Sequence, residues 1–236
     1  MSYLVTSPPA TEPVTLAEMK LHCRVEPDST DDDDEIADII VAAREQAEMF
    51  TRRAFISQQV TLVLDRFPGA TSSDSDLAYA PFADFGVTPP GYSYRAITET
   101  YFRAGVLLLP MPRCISVDEI KYQDRDGNLV VLDPTQYVVD KISEPARVVP
   151  APNVVWPFTL LSLRSPVINA ISVKQTCGYG ADATAVPKKI KQAIKLIGAH
   201  WYENRETILT GTRAQAIELP QASMALLWGE RVFGFS

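Results

Sequence analysis

The stretch DDDDEIADIIVAAREQAEMFTRR occupies residues 31–53, and its reading decides the fold. Ile36, Ile39, Ile40, Ala43, Ala47 and Phe50 recur at three- and four-residue steps, which is the period of one apolar stripe on an α-helix. A helix from Asp31 to about Arg53 is therefore expected, with its stripe against a core. Just upstream, Thr15-Leu16-Ala17-Glu18 has capping-box form, in which the Thr hydroxyl accepts from the third amide and the Glu reaches back to the cap amide. That marks a short helix ending near Arg24. Far downstream, Pro187 suits a first helical turn, where its missing amide hydrogen would have had no partner. Ile190, Ala193, Ile194, Ile197 and Trp201 then give the stripe of a helix running to about Glu206.

Between these helical ends the period changes. Val60, Leu62 and Leu64 alternate with Thr61, Val63 and Asp65 and stop at Phe67-Pro68-Gly69, which reads as a strand closed by a turn. Strand patterns return at 106–109, 115–123, 129–132, 136–140, 147–149 and 170–177. Asp124-Arg125-Asp126-Gly127-Asn128 links two of them, and Asp-Gly between apolar runs marks a hairpin because Gly accepts positive φ at little cost. Residues 69–105 break the pattern with Ser, Asp, Pro and Gly. The aromatics Tyr79, Phe82, Phe85, Tyr92, Tyr94, Tyr101 and Phe102 make that stretch a candidate contact loop.

The expected fold class is α+β. Residues 1–56 and 178–210 form a helical bundle, residues 57–177 an inserted antiparallel β-rich region with the long loop 69–105, and residues 211–236 a C-terminal tail. In that tail, Gln221–Arg231 reads as a short helix carrying Met224, Leu227 and Trp228 on one side, followed by Phe233 and Phe235. So many large apolar groups with so little room for a core of their own are expected to dock on something.

Composition narrows the function. At 236 residues with 46% hydrophobic and 22% charged, the chain can bury a real core. Residues 1–13 have no basic region followed by an apolar run, so no secretory signal is read there, and no stretch approaches the ~20 apolar residues that span a bilayer. Assembly in the cytoplasm and no membrane partner are expected. The net charge of −7 and pI of about 4.9 argue against a surface that grips DNA phosphates. Cys23, Cys114 and Cys177 share no metal-ligand spacing.

Asp31, Asp32, Asp33, Asp34 and Glu35 invite a metal-site reading, and an acid-cluster metal hydrolase is the alternative they suggest. Carboxylates in a first turn, however, complement its exposed amides and the positive end of the dipole. Calcium loops alternate their ligands and include a turn Gly, and this run does neither. Lys188, Lys189 and Lys191 stand at the positive end of the last long helix, against the dipole preference. An acidic neighbour would explain them, and Asp31, Asp32, Asp33 and Asp34 of the same or an adjacent subunit are candidates. His22 and His200 read as packing or surface residues, and Cys23 beside His22 is no dyad, since adjacent helical side chains diverge. Gly178-Tyr179-Gly180 lacks the rest of a phosphate loop and reads as a strand end. No catalytic, cofactor or metal residue is assigned.

The order of motifs carries a resemblance. Pro13-Val14-Thr15-Leu16-Ala17-Glu18-Met19-Lys20, the acid-led helix, Phe67-Pro68-Gly69, Leu109-Pro110-Met111-Pro112, Tyr122-Gln123-Asp124-Arg125-Asp126-Gly127, Cys177-Gly178-Tyr179-Gly180, and Lys191-Gln192-Ala193-Ile194 through His200-Trp201-Tyr202-Glu203-Asn204-Arg205 together resemble the gp6-like head–tail connectors, or adaptors, of tailed bacteriophages and of gene transfer agents. The resemblance runs over most of residues 13 to 206, with the insert 69–105 and the tail beyond Gly211 as departures. It implies a structural subunit without catalysis, at the head–tail junction of a virion or phage-like particle. Such subunits form a ring, commonly dodecameric, below the portal protein and above a stopper or other tail-side connector. Double-stranded DNA passes through without tight binding, which an acidic chain would favour by repulsion. By the same resemblance the tail residues Met224, Leu227, Trp228, Phe233 and Phe235 are expected to bind the portal.

Overall fold

The computed structural model describes residues 2–68, 105–124, 126–157, 168–204 and 220–232. They form an α+β protein with four α-helices and eight strands in two sheets among the described residues. The chain divides into two compact units, one of residues 8–58 and 177–232 and one of residues 1–7, 59–176 and 233–236.

The first unit is helical. Helix α1 is Leu16–Cys23, and its capping box is formed as read: Glu18 N–H donates to Thr15 Oγ1 at 3.2 Å and Thr15 N–H to Glu18 Oε2 at 3.1 Å. It stops at Arg24, whose φ of 59° lets its N–H turn back to the Leu21 and Lys20 carbonyls. Helix α2 is Asp33–Thr51 and α3 is Lys188–Glu203, with Pro187 at the cap position rather than inside the first turn. Helix α4 is Gln221–Trp228 and packs on both α3 and α2. The expected stripes meet in one core: Ile36, Ile40, Ala43 and Ala47 of α2 with Ile190, Ala193, Ile194 and Ile197 of α3, joined by Met19, Phe55, Ile56 and Leu227. Ile39, Phe50 and Trp201, which the period also placed on the stripes, are only half-buried. They lie at the stripe margins, where a helix turns away from its neighbour.

The second unit is strand-rich. Its larger sheet has the order β1 (Ser2–Ser7), β2 (Gln58–Leu64), β8 (Ile171–Cys177), β4 (Cys114–Gln123), β5 (Leu129–Val131). The smaller sheet runs β3 (Leu107–Leu108), β7 (Arg147–Pro150), β6 (Tyr137–Asp140). The pairs β1–β2, β4–β5, β3–β7 and β6–β7 are antiparallel. In the β4–β5 hairpin Asp124 Oδ1 accepts from Asp126 and Asn128 N–H at 2.9 and 2.8 Å, and Gly127 takes φ 85°. Phe67 stacks on Trp156 with centroids 4.7 Å apart, while Trp156 Nε1–H donates to the Gly105 carbonyl at 2.7 Å. These rings close a core of Leu62, Leu107, Leu109, Ile120, Ile171 and Val173.

Strand β1 is a finding beyond the sequence reading. All six of its residues are exposed, so it has no buried face and no alternation to betray it. The contact loop proposed at 69–105 lies outside the described residues up to position 104, with all seven of its aromatics.

Candidate functional site

The helical unit gathers most of the residues the sequence singled out. Of the acid run, Asp32 accepts a 2.6 Å hydrogen bond from the Tyr202 hydroxyl at the far end of α3. Asp33 is ion-paired with Lys20 of α1. Both therefore fasten α2 within their own unit, while Asp31 and Asp34 are exposed. Asp33, Asp34 and Glu35 stand in the first turn of α2, where the helix dipole favours negative charge. Among the described residues no three His, Cys, Asp or Glu side chains come together as a metal site.

Two of the three lysines find other acids than those expected. Lys189 pairs with Glu230 and Lys191 approaches Glu18 at 4.0 Å, while Lys188 is exposed. Glu230 follows α4 and is the centre of a cluster. The Tyr179 hydroxyl donates to its Oε2 at 2.9 Å, and the Arg53 guanidinium donates to its main-chain carbonyl and stands 3.9 Å from its carboxylate. Burial disfavours the charge of Glu230, but the Lys189 hydrogen bond and charge, the Tyr179 hydroxyl and Arg53 outweigh it and hold the carboxyl below the usual glutamate range. The main chain adds a further tie, from Val232 N–H to the Thr51 carbonyl at 2.9 Å.

Gly178-Tyr179-Gly180 reads in sequence as a strand end, and the reason for its composition lies in this cluster. Gly178 has φ 136°, and a Cβ there would come within 2.6 Å of the Ile56 carbonyl oxygen. Ser57 N–H donates to the Gly180 carbonyl at 2.8 Å and Tyr179 N–H to that of Phe55 at 3.2 Å. The bare backbone thus lies against residues 55–57 and aims the Tyr179 phenol at Glu230. No local spacing announces that pairing, because the partners are 51 residues apart.

Helix α4 carries the tail residues. Met224, Leu227 and Trp228, expected together on one side of the helix, are divided by the packing. Leu227 is 1% exposed and belongs to the core of its own unit. Ser223, one turn earlier, is also buried and bonds the Pro220 carbonyl. The inward face of α4 is therefore set by Ser223 and Leu227, one helical turn apart, leaving Met224 half-buried and Trp228 54% exposed. Trp228 lies 6.1 Å from the Phe50 ring, and the Arg231 guanidinium stands over both, 5.2 Å from Phe50 and 5.6 Å from Trp228. Met49, beside Phe50, is 67% exposed. Phe233 and Phe235 lie outside the described residues.

A second network stiffens α2. Arg44, nearly fully buried, contacts Glu12 and Glu48 at 2.8 Å each. Glu48 also accepts from Phe55 N–H at 2.7 Å and from the Gln58 amide at 3.3 Å. Burial pushes the Glu48 carboxyl above its ordinary value in spite of these donors. The partners it joins all belong to the fold of this unit, which makes it structural.

Comparison with known proteins gives one consistent picture. Residues 13–80 match the family model described as "Phage gp6-like head-tail connector protein", a span that takes in α1, α2 and β2. No curated protein matches the chain. Among solved structures the chain is similar to one from "Neck of empty GTA particle computed with C6 symmetry", with a TM-score of 0.67 at 18% identity, over 98% of this chain and 95% of that one. It is similar to another from "Neck of native GTA particle computed with C12 symmetry", with a TM-score of 0.62 at 18% identity and the same coverage. By its family match over residues 13–80 and its fold over nearly the whole length, the chain resembles the phage gp6-like head–tail connectors and the gene transfer agent neck, as its motifs indicated.

Proposed function

We propose that the protein is a structural head–tail connector, or adaptor, subunit of a tailed phage or phage-like particle. It forms a ring at the head–tail junction, below the portal, and continues the DNA tunnel toward the stopper and tail. The observation that carries this reading is the joint one: a connector family match over residues 13–80, and the fold of gene transfer agent neck subunits over 98% of the chain. Twelve subunits is the ring number we infer, in keeping with the C12 symmetry of one similar neck.

In this reading the protein works without catalysis or cofactor, its helical bundle and β-rich part serving as rigid ring parts. The exposed Asp31 and Asp34 are offered to a neighbouring subunit, with Lys188 as the matching cation. The α4 surface of Trp228 and Met224, with Phe233 and Phe235 beyond it, meets the portal. Leu227 supports that surface from beneath. The net charge of −7 repels the duplex and lets it slide. The metal hydrolase alternative loses its footing, since Asp32 and Asp33 are engaged by Tyr202 and Lys20.

The test is a particle lacking this chain. Filled heads and free tails that fail to join, with joining restored by the wild-type chain, are the expected result. Normal joining in its absence would refute the reading.

A further inference from the structure

Strand β1 is unlike every other strand among the described residues. Each of its six residues is exposed, and Tyr3, Leu4 and Val5 are 49%, 65% and 42% accessible. Because successive side chains point to opposite faces, both faces of β1 present apolar groups to solvent. Its hold on its own sheet is a main-chain ladder to β2, with Ser2 opposite Val63, Tyr3 opposite Leu62, Leu4 opposite Thr61 and Val5 opposite Val60. The Thr6 hydroxyl adds one bond to the Gln59 carbonyl at 3.2 Å. Natural edge strands are usually guarded by Lys, Pro, an inward charge or a bulge; Ser2–Ser7 contains none of the first three, and its one irregularity is a register shift between Val5 and Ser7.

The link that follows is short and stiff. Beyond Ser7 the chain is next fastened at Thr11, whose hydroxyl donates to the Ala181 carbonyl at 3.0 Å, and at Glu12, bound to Arg44 at 2.8 Å. Only Pro8, Pro9 and Ala10 lie between, and two prolines fix the backbone there. Short hinges invite exchange of an element between copies of a chain.

We propose that β1 is an exchanged strand: when copies of this chain assemble, Ser2–Ser7 of one copy pairs with β2 of the next. The occupant is a second copy because the surface that fits β1 in register is Val60–Val63 of this same sequence. Exchange remakes every main-chain bond in trans, so it forfeits nothing in the ladder. Joining copies in this way also sets their bodies side by side, where contacts on the exposed Tyr3, Leu4 and Val5 would gain apolar burial. The proposal rests on the connector reading for the claim that the assembly is a ring, in which each copy gives one strand and receives one.

The test uses full-length chains, one carrying Leu4→Cys and the other Thr61→Cys. These positions are direct cross-strand partners, a spacing within disulfide reach. The two chains are mixed, the assembled fraction is isolated and oxidised, and the products are separated without reductant beside the parent chain, which retains Cys23, Cys114 and Cys177. A covalent dimer containing one of each variant is the expected product, since it forms only in trans. Uncoupled monomers from a mixed assembly would overturn the proposal, and so would dimers of the Leu4→Cys chain alone, which would mean β1-to-β1 pairing. Deletion of residues 2–7 provides an independent check. Loss of the assembled fraction with retained helical circular dichroism is expected, and unchanged assembly overturns the proposal. Gold labelling of the chain in particles reports the connector reading separately: label at the neck with no trans disulfide would reject exchange and keep the connector.

Discussion

Tyr179 and Glu230 are joined by a 2.9 Å hydrogen bond from the phenol to Oε2, which ties the turn after β8 to the residues that follow α4. Through Lys189 and Arg53 the same carboxylate reaches the start of α3 and the end of α2. The cluster therefore seats α4, and with it the Trp228 surface, on the helical unit. Tyr179→Phe should cost about 1–2 kcal/mol, the range for losing a hydrogen bond to a partly shielded charged acceptor. Denaturant unfolding measures the loss, and hydrogen exchange should show α4 amides losing protection before those of α2.

The Glu230 cluster also predicts a pH response. Its carboxyl titrates below the ordinary glutamate value of about 4.3, so its contribution is whole above that value and is lost as pH falls through the lower folded pKa. Between pH 7 and 5 this contribution should be flat. Below about pH 4 the α4 amides of wild type should lose protection relative to their intrinsic exchange rates, with the pH dependence flattened in Glu230→Gln.

Gly178→Ala should be among the most damaging small substitutions. The added methyl would meet the Ile56 carbonyl oxygen at 2.6 Å in a backbone region that side chains rarely adopt. A loss of about 3 kcal/mol is expected, whereas Gly229→Ala, with open space around the position, should change stability by less than about 0.5 kcal/mol. Thermal melts of the two variants side by side make the comparison.

How much of this was legible in advance follows from where the determining contacts lie. The Thr15–Glu18 cap, the α2 and α3 stripes and the Asp124–Asn128 hairpin were readable because partners sit within a few residues of each other and obey a fixed period. The Glu230 cluster was not, because residues 53, 179, 189 and 230 meet only after the fold has closed. Leu227 and Trp228 illustrate the same limit. Both are large and apolar, and only packing against α3 decides that the first is core and the second is surface. Strand β1 escaped because a strand exposed on both faces carries no burial pattern to read.

The buried Arg44–Glu48 pair separates fold from function. Glu48→Ala should destabilise by roughly 3 kcal/mol, the low end for breaking a buried ion pair, since Glu12 still faces Arg44. Trp228→Ala should spare the fold and lose the function. Being half exposed, it should cost under about 1 kcal/mol of stability, while pull-down by purified portal drops sharply. Portal binding that survives Trp228→Ala would move the attachment surface elsewhere.

The most direct test of the connector claim is electron microscopy of particles containing this chain, with density resolved at the head–tail junction. A ring of copies of this fold is expected directly below the portal, twelve if the C12 symmetry of the similar neck is shared, with the Trp228 surface turned toward the portal. A neck built without this chain, or its presence only in the shell or the tail tube, would contradict it.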